Sequence, residues 1–125
     1  MCRKAAGSFV GVLLDDLHWT RGTPARLYSS NGIARGFCAA CGTPLFLHNE
    51  ASPRIPGSIG AFDDPGAFPL AFERGIEARL PQVDTLSDLP NFGTSEEDYP
   101  EATARAARTS RQDPDHDTEI WPAPS

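Results

Sequence analysis

The chain has little cysteine and no surplus of basic residues. Of its 125 residues, only Cys2, Cys38 and Cys41 are cysteine, and this odd number fits poorly with a disulfide framework. Residues 1–87 carry eight acidic and eight basic side chains, whereas residues 88–125 carry nine acidic and three basic ones and supply the whole net charge of −6. Because neither part offers a basic surface to phosphate groups, we expect no nucleic-acid partner.

Long apolar runs are lacking as well. The most apolar stretch near the start, residues 5–14, follows two basic residues as a signal peptide would, but it lacks a small-x-small cleavage site and continues into Asp15 and Asp16. No run reaches the length that a membrane-spanning helix needs. We therefore expect no membrane partner and a cytoplasmic location, where cysteines serve metal or redox chemistry more often than disulfides.

Proline and glycine, in contrast, are abundant, with 12 and 11 residues, and they favour short strands joined by turns. The apolar content of 39% predicts a thin core. Alternation and turn signals predict a buried strand over 8–14 and strands over 33–37 and 44–48. Further predicted strands are two short ones within 18–30 and one over 57–68. Residues 71–80 predict a strand or one helical turn, and Gly75 and Pro81 favour the strand.

The character of the chain changes after residue 80. Residues 81–93 predict an extended surface segment, and Thr94 with Glu97 forms a capping-box pattern that opens a weak helix to Gln112. Residues 113–125 predict little regular structure. The predicted fold class is mainly β with a short helical or irregular C-terminal tail, divided into a domain over 1–90 and an acidic extension over 91–125.

One short stretch carries a chemical pattern. Residues 35–46, RGFCAACGTPLF, place Cys38 and Cys41 between two predicted strands. Gly42 permits a positive φ directly after the second cysteine, and we expect this turn to point amide hydrogens at the sulfurs. Two thiolates at this spacing bind one zinc ion without backbone strain, so the pattern is typical of half a zinc knuckle. The alternative is a pair of buried or redox-active thiols, but a thioredoxin-type motif opens a helix, whereas Gly42, Thr43 and Pro44 lead into a strand.

The other two zinc ligands are harder to find in the sequence. His48 lies at the far end of the strand that leaves the turn, roughly 20 Å from Cys41 if extended. His18 and His116 fit a packed or solvated histidine better than a ligand. Cys2 stands beside the first residue. A complete four-ligand site from these residues alone is therefore not expected.

Four stretches together resemble a known family. They are CRKAAGSFVGVLL (2–14), LHWTRGTPARLYSSNGIARGFCAACGTPLF (17–46), GSIGAFDDP (57–65) and GIEARLPQVDTLSDLP (75–90). In this order they resemble the glutathione-dependent formaldehyde-activating enzymes, whose relatives include centromere protein V-like domains. The resemblance covers about residues 2–90 and implies a small zinc-associated β-tent (Mss4-like) domain.

The resemblance also implies a metal and a reaction. The family holds a structural zinc and a proposed catalytic zinc; by position Cys38 and Cys41 match half of the structural site, and Cys2 matches the last cysteine of the catalytic cluster. The implied function is that of a carbon–sulfur lyase acting on adducts of formaldehyde with a thiol such as glutathione. Arg3, Arg21 and Arg35 are candidates to contact a glutathione carboxylate, although the alternative of solvated surface charges is favoured for all three. Because the family's earlier cysteines have no counterpart here, we expect a domain truncated at its N-terminus and impaired in catalysis.

Two readings other than an enzyme remain open. One is a non-catalytic zinc-knuckle or protein-interaction module that needs only Cys38 and Cys41 and completes its site across a homodimer. The other is a metal-free remnant without activity. Zinc content and oligomeric state distinguish them, because a shared site binds half an ion per chain.

Overall fold

The structure is a computed structural model that describes residues 7–29, 31–109 and 117–120. Its contacts divide the chain into two units. The sheet unit comprises Ser8–Leu70 and Arg111–Ser125, and the helical unit comprises Met1–Gly7 and Ala71–Ser110. The predicted boundary between 1–90 and 91–125 stays a prediction.

The sheet unit is built on five antiparallel strands in the order β1-β5-β4-β3-β2. Strands β2 to β5 form a meander of consecutive hairpins, and β1 pairs with β5, so that β1 and β2 are the edges. The mainly β fold class predicted from the sequence is confirmed at this level. The strands are β1 Phe9–Leu13, β2 Ala25–Tyr28, β3 Ile33–Phe37, β4 Pro44–Asn49 and β5 Arg54–Ser58.

The core lies on one face of this sheet. Among the described residues, the buried apolar side chains are Ala34, Phe46 and Ile55, and the partly buried Val12, Leu17 and Leu45 pack against them. Directly opposite residues of antiparallel strands share a face, and the register pairs Gly36 with Phe46. A Cβ atom on Gly36 would overlap the ring of Phe46, so the glycine is what allows the ring to lie flat on β3.

The first strand is less buried than its composition predicts. Val10 and Val12 are half-buried, whereas Phe9 and Leu13 on the opposite face are 47% and 45% exposed. Because β1 is an edge strand, it packs through one face only and leaves the alternate side chains uncovered. The prediction of a fully buried strand over 8–14 was therefore right about the strand and wrong about its burial.

Several predicted strands also differ from the structure. Strand β5 ends at Ser58 and is followed by 3-10 turns at Ile59–Ala61 and Pro65–Ala67, so the strand predicted over 57–68 was misplaced. Within residues 18–29, all of which the structure describes, β2 is the one strand, while Arg21 forms an isolated bridge. The two strands predicted on either side of the cysteine turn, over 33–37 and 44–48, are confirmed.

The helical unit contains 3-10 and α-helical segments. A 3-10 turn spans Ile76–Ala78, so within 71–80 the favoured strand was wrong and the alternative of one helical turn is what forms. A longer 3-10 helix spans Pro81–Asp88, where an extended segment was predicted. Helices α1, Ser95–Asp98, and α2, Pro100–Thr109, follow. The capping box is confirmed, since the Thr94 amide donates to Glu97 Oε2 at 3.0 Å and the Glu97 amide donates to Thr94 Oγ1 at 3.2 Å.

Candidate metal-binding turn

The two cysteines lie in the turn between β3 and β4, as the sequence predicts. The Cys38 amide donates to the Thr43 carbonyl oxygen at 2.9 Å, and the Gly42 amide donates to the Cys38 carbonyl oxygen at 2.7 Å. Gly42 has φ +77°, and nothing lies within 4 Å of where its Cβ would be. Glycine is therefore required here by backbone conformation and not by crowding.

One expected detail of the turn is different. The sequence-based hypothesis was that the turn directs amide hydrogens at the sulfurs, but the Gly42 amide is bound to the Cys38 carbonyl oxygen. A hydroxyl instead approaches a sulfur, with Thr43 Oγ1 at 3.1 Å from Cys41 Sγ. When Cys41 is a thiolate, that hydroxyl donates to it and stabilises its negative charge.

The two sulfurs differ in accessibility. Cys38 is half-buried and Cys41 is exposed at the tip of the hairpin. The third and fourth ligands of a tetrahedral zinc site would have to approach this tip from solvent, and the exposure of Cys41 permits such an approach. The turn thus has the donor chemistry and the open approach of half a thiolate site.

The structure does not bring the other candidate ligands to the turn. His48 is buried in β4, 5% exposed, and its Nε2 lies 3.0 Å from the Ser52 carbonyl oxygen. Its burial and this contact identify it as a packed histidine. His18 is exposed on the segment before Trp19. Cys2 and His116 lie outside the described residues. Within the described ranges, no three His, Cys, Asp or Glu side chains cluster as a metal site would require.

A small pocket adjoins the turn. Its volume is ≈ 40 Å³, and Cys38 and Ala39 form one part of its wall. The rest of the lining consists of Trp19, Arg21, Thr23, Pro24 and Leu45. Arg21 is the one charged residue among those that line the pocket.

Arg21 also holds the surrounding segments together by ion pairs. Its Nη1 lies 3.2 Å from Asp63 Oδ1 and its Nε lies 3.7 Å from Asp117 Oδ1. Arg35, the other described arginine proposed from the sequence, is exposed on β3, and Arg3 lies outside the described residues.

Comparison with known proteins adds no family to these observations. No protein-family model, no curated protein and no solved structure matches the chain. The resemblance drawn from the sequence motifs therefore stays a prediction. Of the described helices, none combines the length and apolarity that crossing a bilayer requires.

Sequence reasoning missed the pocket and the role of Asp117. Residues 18–30 were predicted as two short strands around a turn at 22–24, whereas Trp19, Arg21 and Thr23 line a cavity beside Cys38. The signal that could have suggested it was an arginine and a tryptophan in one turn-rich segment preceding a cysteine motif. Nothing in the local sequence relates Arg21 to Asp117, because they meet only through the fold.

Proposed function

We propose that this protein binds zinc through Cys38 and Cys41 and belongs to the carbon–sulfur lyase-like, glutathione-dependent formaldehyde-activating class. The β-tent (Mss4-like) fold is part of the same proposal. The observation that carries it is the turn itself: two cysteines three residues apart, at the tip of a β-hairpin, with Gly42 at φ +77° and a hydroxyl 3.1 Å from Cys41 Sγ.

The residues present fit half of a tetrahedral thiolate site. Two sulfur donors at this spacing match zinc. The remaining ligands must come from residues outside the described ranges, with Cys2 as one candidate, or from a second copy of the chain. A zinc ion held at this tip would act as a cross-link and, with an open position, as a Lewis acid towards a bound thiol. The chain's own contribution is to hold the two sulfurs in a fixed turn and to place Arg21 beside Cys38.

The proposed substrate class follows from the resemblance and from the charge of the pocket. A thiol such as glutathione carries carboxylates, and a guanidinium in the pocket wall suits a carboxylate. With only two ligands in the described turn, we expect the protein to catalyse carbon–sulfur bond formation between formaldehyde and glutathione only slowly, because an incompletely ligated zinc is labile.

Metal binding tests the proposal directly. Reduced full-length protein is equilibrated with cobalt, a coloured zinc substitute, and then with zinc, and metal per chain is measured after gel filtration. We expect a thiolate-to-cobalt charge-transfer band that is lost in Cys38→Ser and in Cys41→Ser. The control is Ala39→Ser, which changes an exposed residue of the same turn and should leave the band intact.

The stoichiometry separates the enzyme from the interaction module. One zinc per monomer with Cys2 required, together with formation of the hydroxymethyl adduct of glutathione seen by NMR, supports the enzyme. Half a zinc per chain with dimerisation lost in Cys38→Ser supports a shared site, which the exposure of Cys41 makes sterically feasible. Absence of any sulfur-bound metal in the reduced protein would refute the zinc proposal itself.

A further inference from the structure

The pocket beside Cys38 combines one cation with apolar walls. Trp19, Pro24, Ala39 and Leu45 supply apolar surface, and Arg21 supplies the charge. Arg21 is the one charged residue that lines the pocket, and its charge is shared with the neighbouring carboxylates of Asp63 and Asp117. Such a pocket suits a small ligand with one carboxylate and a short apolar body.

The ion pairs of Arg21 show that its guanidinium already faces carboxylates. Arg21 is 36% exposed, while its partners Asp63 and Asp117 are 69% and 72% exposed. Ion pairs between such exposed groups are weak and are screened by salt, so a carboxylate from a ligand can replace either partner. The 3.7 Å separation makes the pair with Asp117 the looser of the two.

Asp117 belongs to a terminal segment that is attached on both sides of Arg21. The Gly22 amide donates to the Thr118 carbonyl oxygen at 2.7 Å, and the Thr118 amide donates to the Thr20 carbonyl oxygen at 2.8 Å. These two bonds form one isolated parallel bridge between Arg21 and Thr118. Within the described residues 117–120, Thr118 provides the backbone hydrogen bonds to residues 20–22, and a segment attached in this way opens locally at less than the global unfolding free energy.

We propose that the pocket is a carboxylate-binding site and that Asp117 is an internal competitor for Arg21. A small ligand places its carboxylate on Arg21 and its reactive end towards Cys38, and the terminal segment weakens this binding while it remains paired with Thr20–Gly22. The inference deepens the proposed function by naming the feature of a thiol-directed substrate that is recognised. The carboxylate site itself does not depend on bound zinc.

Alkylation of Cys38 provides the test. In full-length Cys2→Ser/Cys41→Ser protein, reduced and treated with chelator, the Cys38 thiolate displaces iodide from iodoacetate or from iodoacetamide and forms a carbon–sulfur bond. Both reagents undergo this same step and differ only in carrying a carboxylate or a neutral amide. The ratio of their rates therefore reports attraction of the carboxylate by the pocket.

Three variants separate competition from simpler effects. We expect Asp117→Asn to raise the iodoacetate rate about two- to threefold, the size of a weak exposed ion pair, and to leave the iodoacetamide rate unchanged. Arg21→Gln should remove that gain when combined with Asp117→Asn. The control is Asp64→Asn, which removes the same charge beside Asp63 without altering Asp117, and it should have little effect on either rate.

Other results would overturn the inference. An equal acceleration of both reagents in Asp117→Asn would mean that the segment only shields the thiol, and no change would mean that it does not compete. An effect of Asp64→Asn as large as that of Asp117→Asn would reveal general charge repulsion. A second disruption, Thr118→Pro, removes the amide that binds Thr20 and should reproduce the selective gain; circular dichroism verifies that each variant folds.

The outcome is independent of metal binding. The alkylation protein contains no zinc and has only one of the two proposed ligands. A failed cobalt titration therefore leaves this test intact, and a failed alkylation test leaves the zinc proposal intact.

Discussion

The contact between Gly36 and Phe46 makes the packing of the sheet directly testable. Gly36 lies on β3 opposite Phe46 on β4, and a Cβ atom added there would overlap the Phe46 ring. The ring has little room to move, since Phe46 is only 3% exposed and contacts the Trp19 ring at a centroid distance of 5.8 Å. The Arg26 guanidinium covers it at 5.0 Å.

The effect of Gly36→Ala on the free energy of unfolding follows from two opposing terms. Overpacking a filled core costs about 1–3 kcal/mol, with a direct overlap near the upper end. Replacing glycine by alanine in a strand returns about 0.5–1 kcal/mol. We therefore expect Gly36→Ala to lower the free energy of unfolding by about 2 kcal/mol, which moves a urea midpoint down by roughly 1–2 M.

A matched variant and a double-mutant cycle give the assay its controls. Gly11→Ala, on the exposed edge strand β1, places a Cβ no closer than 3.9 Å to the nearest atom, Arg54 Nε. With no overlap to offset the gain from replacing a strand glycine, this control should raise the free energy of unfolding by about 0.5–1 kcal/mol. Phe46→Leu makes space, so that Gly36→Ala should cost at least about 1 kcal/mol less in its presence. If Gly36→Ala were neutral, or additive with Phe46→Leu, the packing described here would be incorrect.

Two further predictions concern the core and the capping box. Ile55→Val, at a side chain 1% exposed, should lower the free energy of unfolding by about 0.5–1.5 kcal/mol in urea, whereas Ile76→Val, 66% exposed, should be near neutral. The hydrogen bonds from the Thr94 amide and then from its side chain hold the pKa of Glu97 below its usual value. Because a lowered carboxyl pKa stabilises the folded form above the usual glutamate range, the helix start should weaken as the pH falls through that lowered pKa. An NMR titration should show Thr94→Ala raising the Glu97 pKa, and an unchanged midpoint would contradict the capping role.

The parts of the fold that the sequence predicted are those decided over a few residues. The cysteine tip of the β3–β4 hairpin, the positive φ of Gly42 and the Thr94 capping box all depend on near neighbours in the sequence. Turns and helix caps are held by hydrogen bonds between residues that are close in the sequence, so residue type and spacing predict them well.

The predictions that failed needed information from elsewhere in the chain. Residues 71–88 alternate weakly and contain proline. The strand favoured within 71–80 does not form, and the helical turn weighed against it does, at Ile76–Ala78. A 3-10 helix over Pro81–Asp88 replaces the predicted extended stretch. A strand forms only where another strand supplies its hydrogen bonds, and no short-range pattern tells whether one is available. The same reason explains Phe9 and Leu13, which are apolar enough for a core but lie on the open face of an edge strand.

The amino-acid sequence by itself determined a mainly β chain and a two-cysteine turn with the spacing of a zinc ligand pair, because residue type and spacing act locally. Only the tertiary structure decided that Phe46 lies on Gly36, that Arg21 and Cys38 share a pocket, and that Asp117 reaches Arg21. Those pairs are brought together by strand register and by a single bridge between distant segments. Long-range pairing depends on the free energy of the whole sheet, which no local segment contains.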